Sequence, residues 1–289
     1  MTMLQVRILI LMLVTTALFA GNEKDFTYLA LGDSVAFGFD PTLFVPNQPP
    51  PSPAAFTGYP EVVAGTLHLF TSKKEVNAAC PGETSGSFMT PGAPDYGCHS
   101  MGPQGQPPFK TSVGLHTNYS GTQLSFAVSQ LSANKHINLV TLGIGSNDVL
   151  LLLKDCAGDP VCVNTQLPGV LGTYGQNLAI ILTAIRGGAQ GGAQYDGKLI
   201  LVKFYSPSPA LNGIAVALNG IMETVGSQFG AVFADGFTAF QIASASFGGD
   251  PCPAGLLIRL SPTTCDIHPS PLGRDLLAVT VVAAIGDLH

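Results

Sequence analysis

Along most of the chain, short uninterrupted apolar runs alternate with longer stretches in which apolar residues recur at helical spacing. The runs "FTYLAL" (26–31), "KEVNAA" (74–79), "INLVTLGIG" (137–145), "KLILVKFY" (198–205) and "GAVFAD" (230–235) are rich in aliphatic and β-branched residues. Such runs read as strands covered on both faces. Between them, "YPEVVAGTLHLF" (59–70), "GTQLSFAVSQLSAN" (121–134), "PGVLGTYGQNLAIILTAIR" (168–186) and "PALNGIAVALNGIMETVGSQF" (209–229) carry helical spacing, and "PLGRDLLAVTVVAAIG" (271–286) closes the chain with another. Strict alternation of strand and helix predicts an α/β fold of a single domain, a central five-stranded parallel sheet between two helical layers. Ligand-handling groups then gather beyond the carboxyl ends of the strands.

Two stretches break the pattern. Residues 40–58, "DPTLFVPNQPPPSPAAFTG", are rich in proline, with Leu43, Phe44, Val45 and Phe56 reading as exposed, and residues 86–120 are rich in Gly, Pro and Ser. Loops of this length in a compact domain either serve function or lack order. The first leaves directly from the turn after Ser34, where it could wall a cleft; a polyproline-II surface excursion fits the same composition.

The opening "MTMLQVRILILMLVTTALFAGNEKD" sets Arg7 ahead of an apolar run from Ile8 to Ala20. This is the layout of a secretory signal peptide over residues 1–20, ahead of one domain over 21–289, with cleavage after Ala17 or Ala20 equally readable and a retained N-terminal anchor as the competing reading. Beyond the leader no apolar stretch reaches spanning length, so no stable membrane insertion of the mature chain is expected. Cys80, Cys98, Cys156, Cys162, Cys252 and Cys265 make an even set, which behind a leader reads as disulfides formed in an oxidising compartment, extracellular or periplasmic. Nearest-neighbour pairing, Cys80–Cys98, Cys156–Cys162 and Cys252–Cys265, closes the shortest loops. A zinc set of Cys252, Cys265 and His268 lacks a paired short-spaced cysteine motif, so no metal is expected. With 12 basic against 18 acidic residues and no basic cluster in the mature part, nucleic acid and anionic membrane are poor partners.

The polar residues that follow each strand carry the chemistry. Strand one runs into Gly32-Asp33-Ser34, strand two into "NAACPGETSGS" with Gly82, strand three into "GIGSNDV" with Asn147 and Asp148, and the far C-terminal loop holds "CDIHPS" with His268. Each has a bland alternative: Asp and Ser are ordinary helix N-caps, Pro-Gly marks turns, Asn147-Asp148 could cap the apolar helix that follows, and His268 could be a surface loop residue. Together, at one edge of a parallel sheet, they supply what acyl transfer requires. A serine hydroxyl is a weak nucleophile without an adjacent base, and His268 is the candidate base. The backbone N–H groups of Ser34 and Gly82 and the side-chain amide of Asn147 would face the developing oxyanion. Asp33 and Asp148 read as turn and cap supports.

"LALGDSVAFG", "NAACPGETS", "LVTLGIGSNDV" and "CDIHPS" resemble, in order, the serine, glycine, asparagine and histidine blocks of the SGNH/GDSL hydrolases. The resemblance runs from about Phe26 to the C-terminal helix. It implies a flavodoxin-like three-layer αβα sandwich and metal-independent ester hydrolysis without a cofactor. It also implies Ser34 as nucleophile, His268 as base, and Ser34, Gly82 and Asn147 as oxyanion hole. The implied partner is a small-molecule or lipid ester, handled by a monomer. Polysaccharide deacetylation is the second reading, weakened by the absence of tryptophan, and a non-catalytic secreted binding protein is the third.

Two positions depart from the family pattern. Val35 follows the serine where leucine is usual, a conservative apolar change. The usual acid lies three residues before the histidine, where this chain has Cys265; Asp266 lies only two before it. In an extended segment, side chains two apart share a face and Asp266 reaches the imidazole. In a helical turn positions three apart meet, and a backbone carbonyl near Cys265 or a water would orient the ring instead.

Overall fold

The computed structural model of the protein describes residues 26–69, 74–187 and 192–286. The leader expected over residues 1–20 lies outside them. In chain order the elements are β1 (Thr27–Gly32), α1 (Ser34–Phe37), α2 (Tyr59–Thr66), β2 (Glu75–Asn77), α3 (Phe109–Ser112), α4 (Gln123–Ala133), β3 (Ile137–Gly143), α5 (Ser146–Asp155), α6 (Pro160–Arg186), β4 (Lys198–Val202), α7 (Asn212–Ser227), β5 (Val232–Ala234), α8 (Gly236–Ala243), β6 (Leu257–Arg259), β7 (Cys265–Pro269) and α9 (Pro271–Ile285).

Strands β1 to β5 form one parallel sheet in the order β2-β1-β3-β4-β5. The pleat sorts their side chains into two cores. Tyr28, Ala30, Leu139 and Ile200 point to the face covered by α1, α2 and α9, with Phe37, Val63 and Val281 among the packing residues. Leu29, Leu31, Val140, Leu142, Leu199 and Leu201 point to the other face, where α4, α6 and α7 bring Ala127, Leu178 and Met222. This double burial explains the unbroken apolar runs of the central strands. The edge strands β2 and β5 are half-buried instead, since each lacks a neighbour on one side; Val232 is exposed. Of the aromatic residues in 40–58, Phe44 is exposed at 38 % but Phe56 is buried at 2 %, packed between Phe37 and Phe109.

Helix α6 begins eight residues before Pro168, where the periodicity had suggested its start. Asp159 caps it by accepting from the Val161 N–H at 2.9 Å, with Pro160 in the first turn. Pro168 is tolerated because it lies on the exposed side, where the carbonyl left without its helical donor faces water. Helix α8 falls where the apolar pattern assigns no element, and the antiparallel β6–β7 hairpin occupies the segment around His268 that reads as a loop in the sequence. The cysteines form three disulfides, Cys80–Cys98, Cys156–Cys162 and Cys252–Cys265. With Cys252 and Cys265 bonded to each other, the zinc set is ruled out. No helix among the described residues is long and apolar enough to cross a membrane.

The edge strand β2 carries Glu75, whose carboxyl is pushed up to about 8 by burial and by the nearby Glu61. An acid whose folded pKa is raised holds its proton in the fold while the unfolded chain has lost it. The fold is therefore progressively disfavoured as pH rises from the ordinary glutamate range to about 8. Glu75→Gln should accordingly melt higher than the parent at pH 8, by roughly 2–4 °C per kcal/mol relieved, with the gap closing at pH 4. Thermal unfolding at the two pH values measures this.

Candidate active site

The sheet order places a topological switch at β1 and β3: the chain leaves β1 towards β2 on one side, then returns to lay β3 on the other. A crevice opens between the carboxyl ends of those two strands. Ser34 follows β1 as the first residue of α1, and Asn147 follows β3 in the first turn of α5. Asp33 caps α1, accepting from the Val35 N–H at 3.0 Å, and its other oxygen accepts from Ser146 Oγ at 2.6 Å. One buried carboxylate thus ties the nucleophile's helix to the asparagine's helix. Burial pushes the Asp33 carboxyl up, opposed by the bonds from Ser146 and Val35.

His268 lies in β7, which the β6–β7 hairpin carries over the end of β1. Its Nε2 is 2.8 Å from Ser34 Oγ, across 234 residues of sequence. Its Nδ1 is hydrogen-bonded to Asp266 Oδ1, and the same oxygen accepts from the His268 backbone N–H at 2.9 Å. Because β7 is extended, residues two apart share a face, and the carboxylate meets the imidazole without a turn. Cys265 cannot supply an acid, being bonded to Cys252. Burial alone would raise the Asp266 carboxyl; the hydrogen bonds and charge of His268 outweigh it and hold the group below its ordinary value. The ring of Phe39 packs 4.8 Å from the His268 ring, and Tyr205 donates its hydroxyl to the Ile267 carbonyl at 2.7 Å. Both brace the strand that presents the histidine. Neither carried a signal in the sequence beyond being aromatic.

Gly82 follows the Cys80–Cys98 bridge in the loop after β2. Its φ is +85°, and a Cβ there would lie 2.6 Å from the Tyr96 carbonyl carbon, so only glycine fits. The Tyr96 N–H donates to the Gly82 carbonyl at 2.7 Å. Among the described residues the Ser34 and Gly82 N–H groups have no protein acceptor. The Asn147 amide donates one N–H to the Glu83 carbonyl at 2.9 Å, which aims the group and leaves its second N–H for a ligand. Asp148 accepts from Ser85 N–H at 2.8 Å and from Ser85 Oγ at 2.5 Å, holding α5 against the same loop.

These groups open onto a cleft of about 760 Å³. The 40–58 loop contributes Phe44 to one wall beside Phe39 and Phe109, and α5 and α7 contribute Leu153, Ile214 and Leu218 to another. Ser34, Gly82, Asn147, Asp266 and His268 all lie on this cleft. A hydroxyl beside a carboxylate-paired imidazole, with unspent N–H donors opposite, is an arrangement able to attack a carbonyl carbon and stabilise the resulting oxyanion.

The family model described as GDSL-like Lipase/Acylhydrolase family matches residues 30–276. Among solved structures, phospholipase A1 from Streptomyces albidoflavus superposes with a TM-score of 0.54 at 16% identity, over 90% of this chain and 99% of that one. The acetylxylan esterase Axe2 from Geobacillus stearothermophilus does so with a TM-score of 0.51 at 16% identity, over 91% and 95% of the two chains. At these identities the likeness is one of fold. No curated protein matches by sequence.

Proposed function

Because the chain belongs to the GDSL-like lipase/acylhydrolase family, and so to the carboxylic ester hydrolases, we propose a secreted serine esterase that takes esters with apolar acyl chains. The observation that carries the reading is the 2.8 Å contact between Ser34 Oγ and His268 Nε2. Ser34 Oγ attacks the ester carbonyl as His268 Nε2 takes its proton, and Asp266 stabilises the imidazolium from the Nδ1 side. The oxyanion is met by the N–H groups of Ser34 and Gly82 and the free N–H of Asn147. His268 then returns the proton to the leaving alcohol, and water, deprotonated by the same imidazole, releases the acid from Ser34.

The leaving alcohol must lie within reach of His268 Nε2, which protonates it. The acyl chain then extends away from it, along Val149, Leu153, Ile214 and Leu218. That wall is apolar, which favours a lipid-like chain over an acetyl group on a polysaccharide, although a fold neighbour is an acetylxylan esterase. Three disulfides and a leader-like N-terminus support export to an oxidising compartment.

A p-nitrophenyl ester series from acetate to decanoate tests the reading. The value of kcat/KM should climb from acetate by up to about fourfold for each methylene that becomes buried, then level off where the cleft ends. Highest activity on acetate, with acetate released from acetylated xylan, would favour the deacetylase reading. Failure of a fluorophosphonate to label the protein would favour a binding protein.

A further inference from the structure

The three donors proposed to meet the oxyanion come from three separate segments: α1, the loop after β2, and α5. Oxyanion hydrogen bonds work only when each donor sits about 2.7–3.1 Å from one common point, so something must hold these segments in register. Beyond Asn77 the chain still runs beside β1, Ala78 and Cys80 donating to the Ala30 and Gly32 carbonyls at 2.9 and 3.1 Å, but among the described residues the Gly32 N–H at the end of β1 finds no backbone acceptor.

Gln123, the first residue of α4 and fully buried, takes that place. Its Oε1 accepts from the Gly32 N–H at 2.6 Å, and its Nε2 donates to the Gly32 carbonyl at 3.0 Å and to Glu83 Oε2 at 3.2 Å. Glu83 is likewise fully buried. Its Oε1 accepts from Ser87 Oγ at 2.7 Å and lies 3.2 Å from His99 Nε2. Its backbone carbonyl is the acceptor that aims the Asn147 amide. One amide therefore grips the peptide two residues ahead of Ser34. The carboxylate it also grips belongs to the residue that follows Gly82 and orients Asn147.

We propose that Gln123 and Glu83 are positioning residues for ester hydrolysis, a buried strut that sets the spacing of the three oxyanion donors. The inference rests on the serine esterase reading above. Gln123→Met and Glu83→Leu keep the volume and break the strut, whereas Glu83→Gln keeps both an acceptor for Gln123 and the side-chain shape. The first two should lose roughly 10–100-fold in kcat, below the range for outright removal of one donor, with KM within about twofold. An alkyl trifluoromethyl ketone, which forms an oxyanion on the serine, should bind those variants more weakly by the same factor. Glu83→Gln should retain at least about a third of parental kcat.

Parental kcat and ketone affinity in folded Gln123→Met and Glu83→Leu would overturn the proposal, as would a loss of kcat no larger than the loss of folded fraction seen by near-UV circular dichroism. If neither variant folds, Ser87→Ala, which removes one anchor of the carboxylate, carries the test. It should lower kcat and ketone affinity together by about threefold or more, and parental values for both would overturn the proposal. A parent inactive on every ester and unlabelled by fluorophosphonate would instead overturn the esterase reading itself.

Discussion

Ser34→Ala is expected to lower kcat on p-nitrophenyl octanoate by ~10⁵–10⁶-fold, the scale on which loss of an activated serine falls, while leaving the melting temperature within about 2 °C of the parent. The chemical reason is that, among the described residues, Ser34 supplies the hydroxyl hydrogen-bonded to His268 Nε2. The structural reason is that the Ser34 side chain caps nothing: Asp33 holds the start of α1, and the Ser34 carbonyl goes on accepting from Gly38 and Phe39 whatever its side chain. Fluorophosphonate labelling should vanish with activity. Parental turnover in the folded variant would remove Ser34 from the mechanism and the serine esterase reading with it.

Asp266→Asn should lower kcat by ~10⁴-fold with little change in KM. The asparagine carbonyl can keep the bond from the His268 backbone N–H, so β7 stays in place. Its amide nitrogen, turned to Nδ1, donates instead of accepting. The imidazole then carries its proton on Nε2, facing Ser34, and cannot act as base. Measuring kcat and KM separately distinguishes this from a loosened cleft, which would raise KM. A loss under tenfold would mean that the ring is oriented by Phe39 and the backbone, with the carboxylate a bystander.

The parts of the fold legible in the sequence are those where burial writes an unmistakable pattern. β1, β3 and β4 are covered on both faces, and their apolar runs left no competing reading. The order of the polar blocks after the strands was enough to bring Ser34, Gly82 and Asn147 to one edge, since parallel strands share their carboxyl ends; His268 reaches the same edge on β7 of the antiparallel hairpin. What escaped was decided by tertiary context. The start of α6 depends on Asp159 accepting from Val161, and Pro168 deceives because exposure makes its lost hydrogen bond tolerable. The β6–β7 hairpin, pinned by Cys252–Cys265, is too short and too polar at "SPTTCD" to show a strand period. Gln123 offered no signal either: a glutamine at a helix start is common, and its grip on Gly32 exists only across 91 residues.

The pairing of Asp266 with His268 within one extended strand imposes a rule of parity. A pleated strand sends alternate residues to opposite sides, so inserting or deleting one residue between this acid and this base would swing the carboxylate to the far side of the hairpin. Adding two would restore the side but lengthen the gap by one strand repeat, beyond direct contact. An acid three positions before the histidine must therefore be served by a turning backbone. Converting Cys265 to aspartate in this chain would sever a disulfide and still aim the new carboxylate away from the ring.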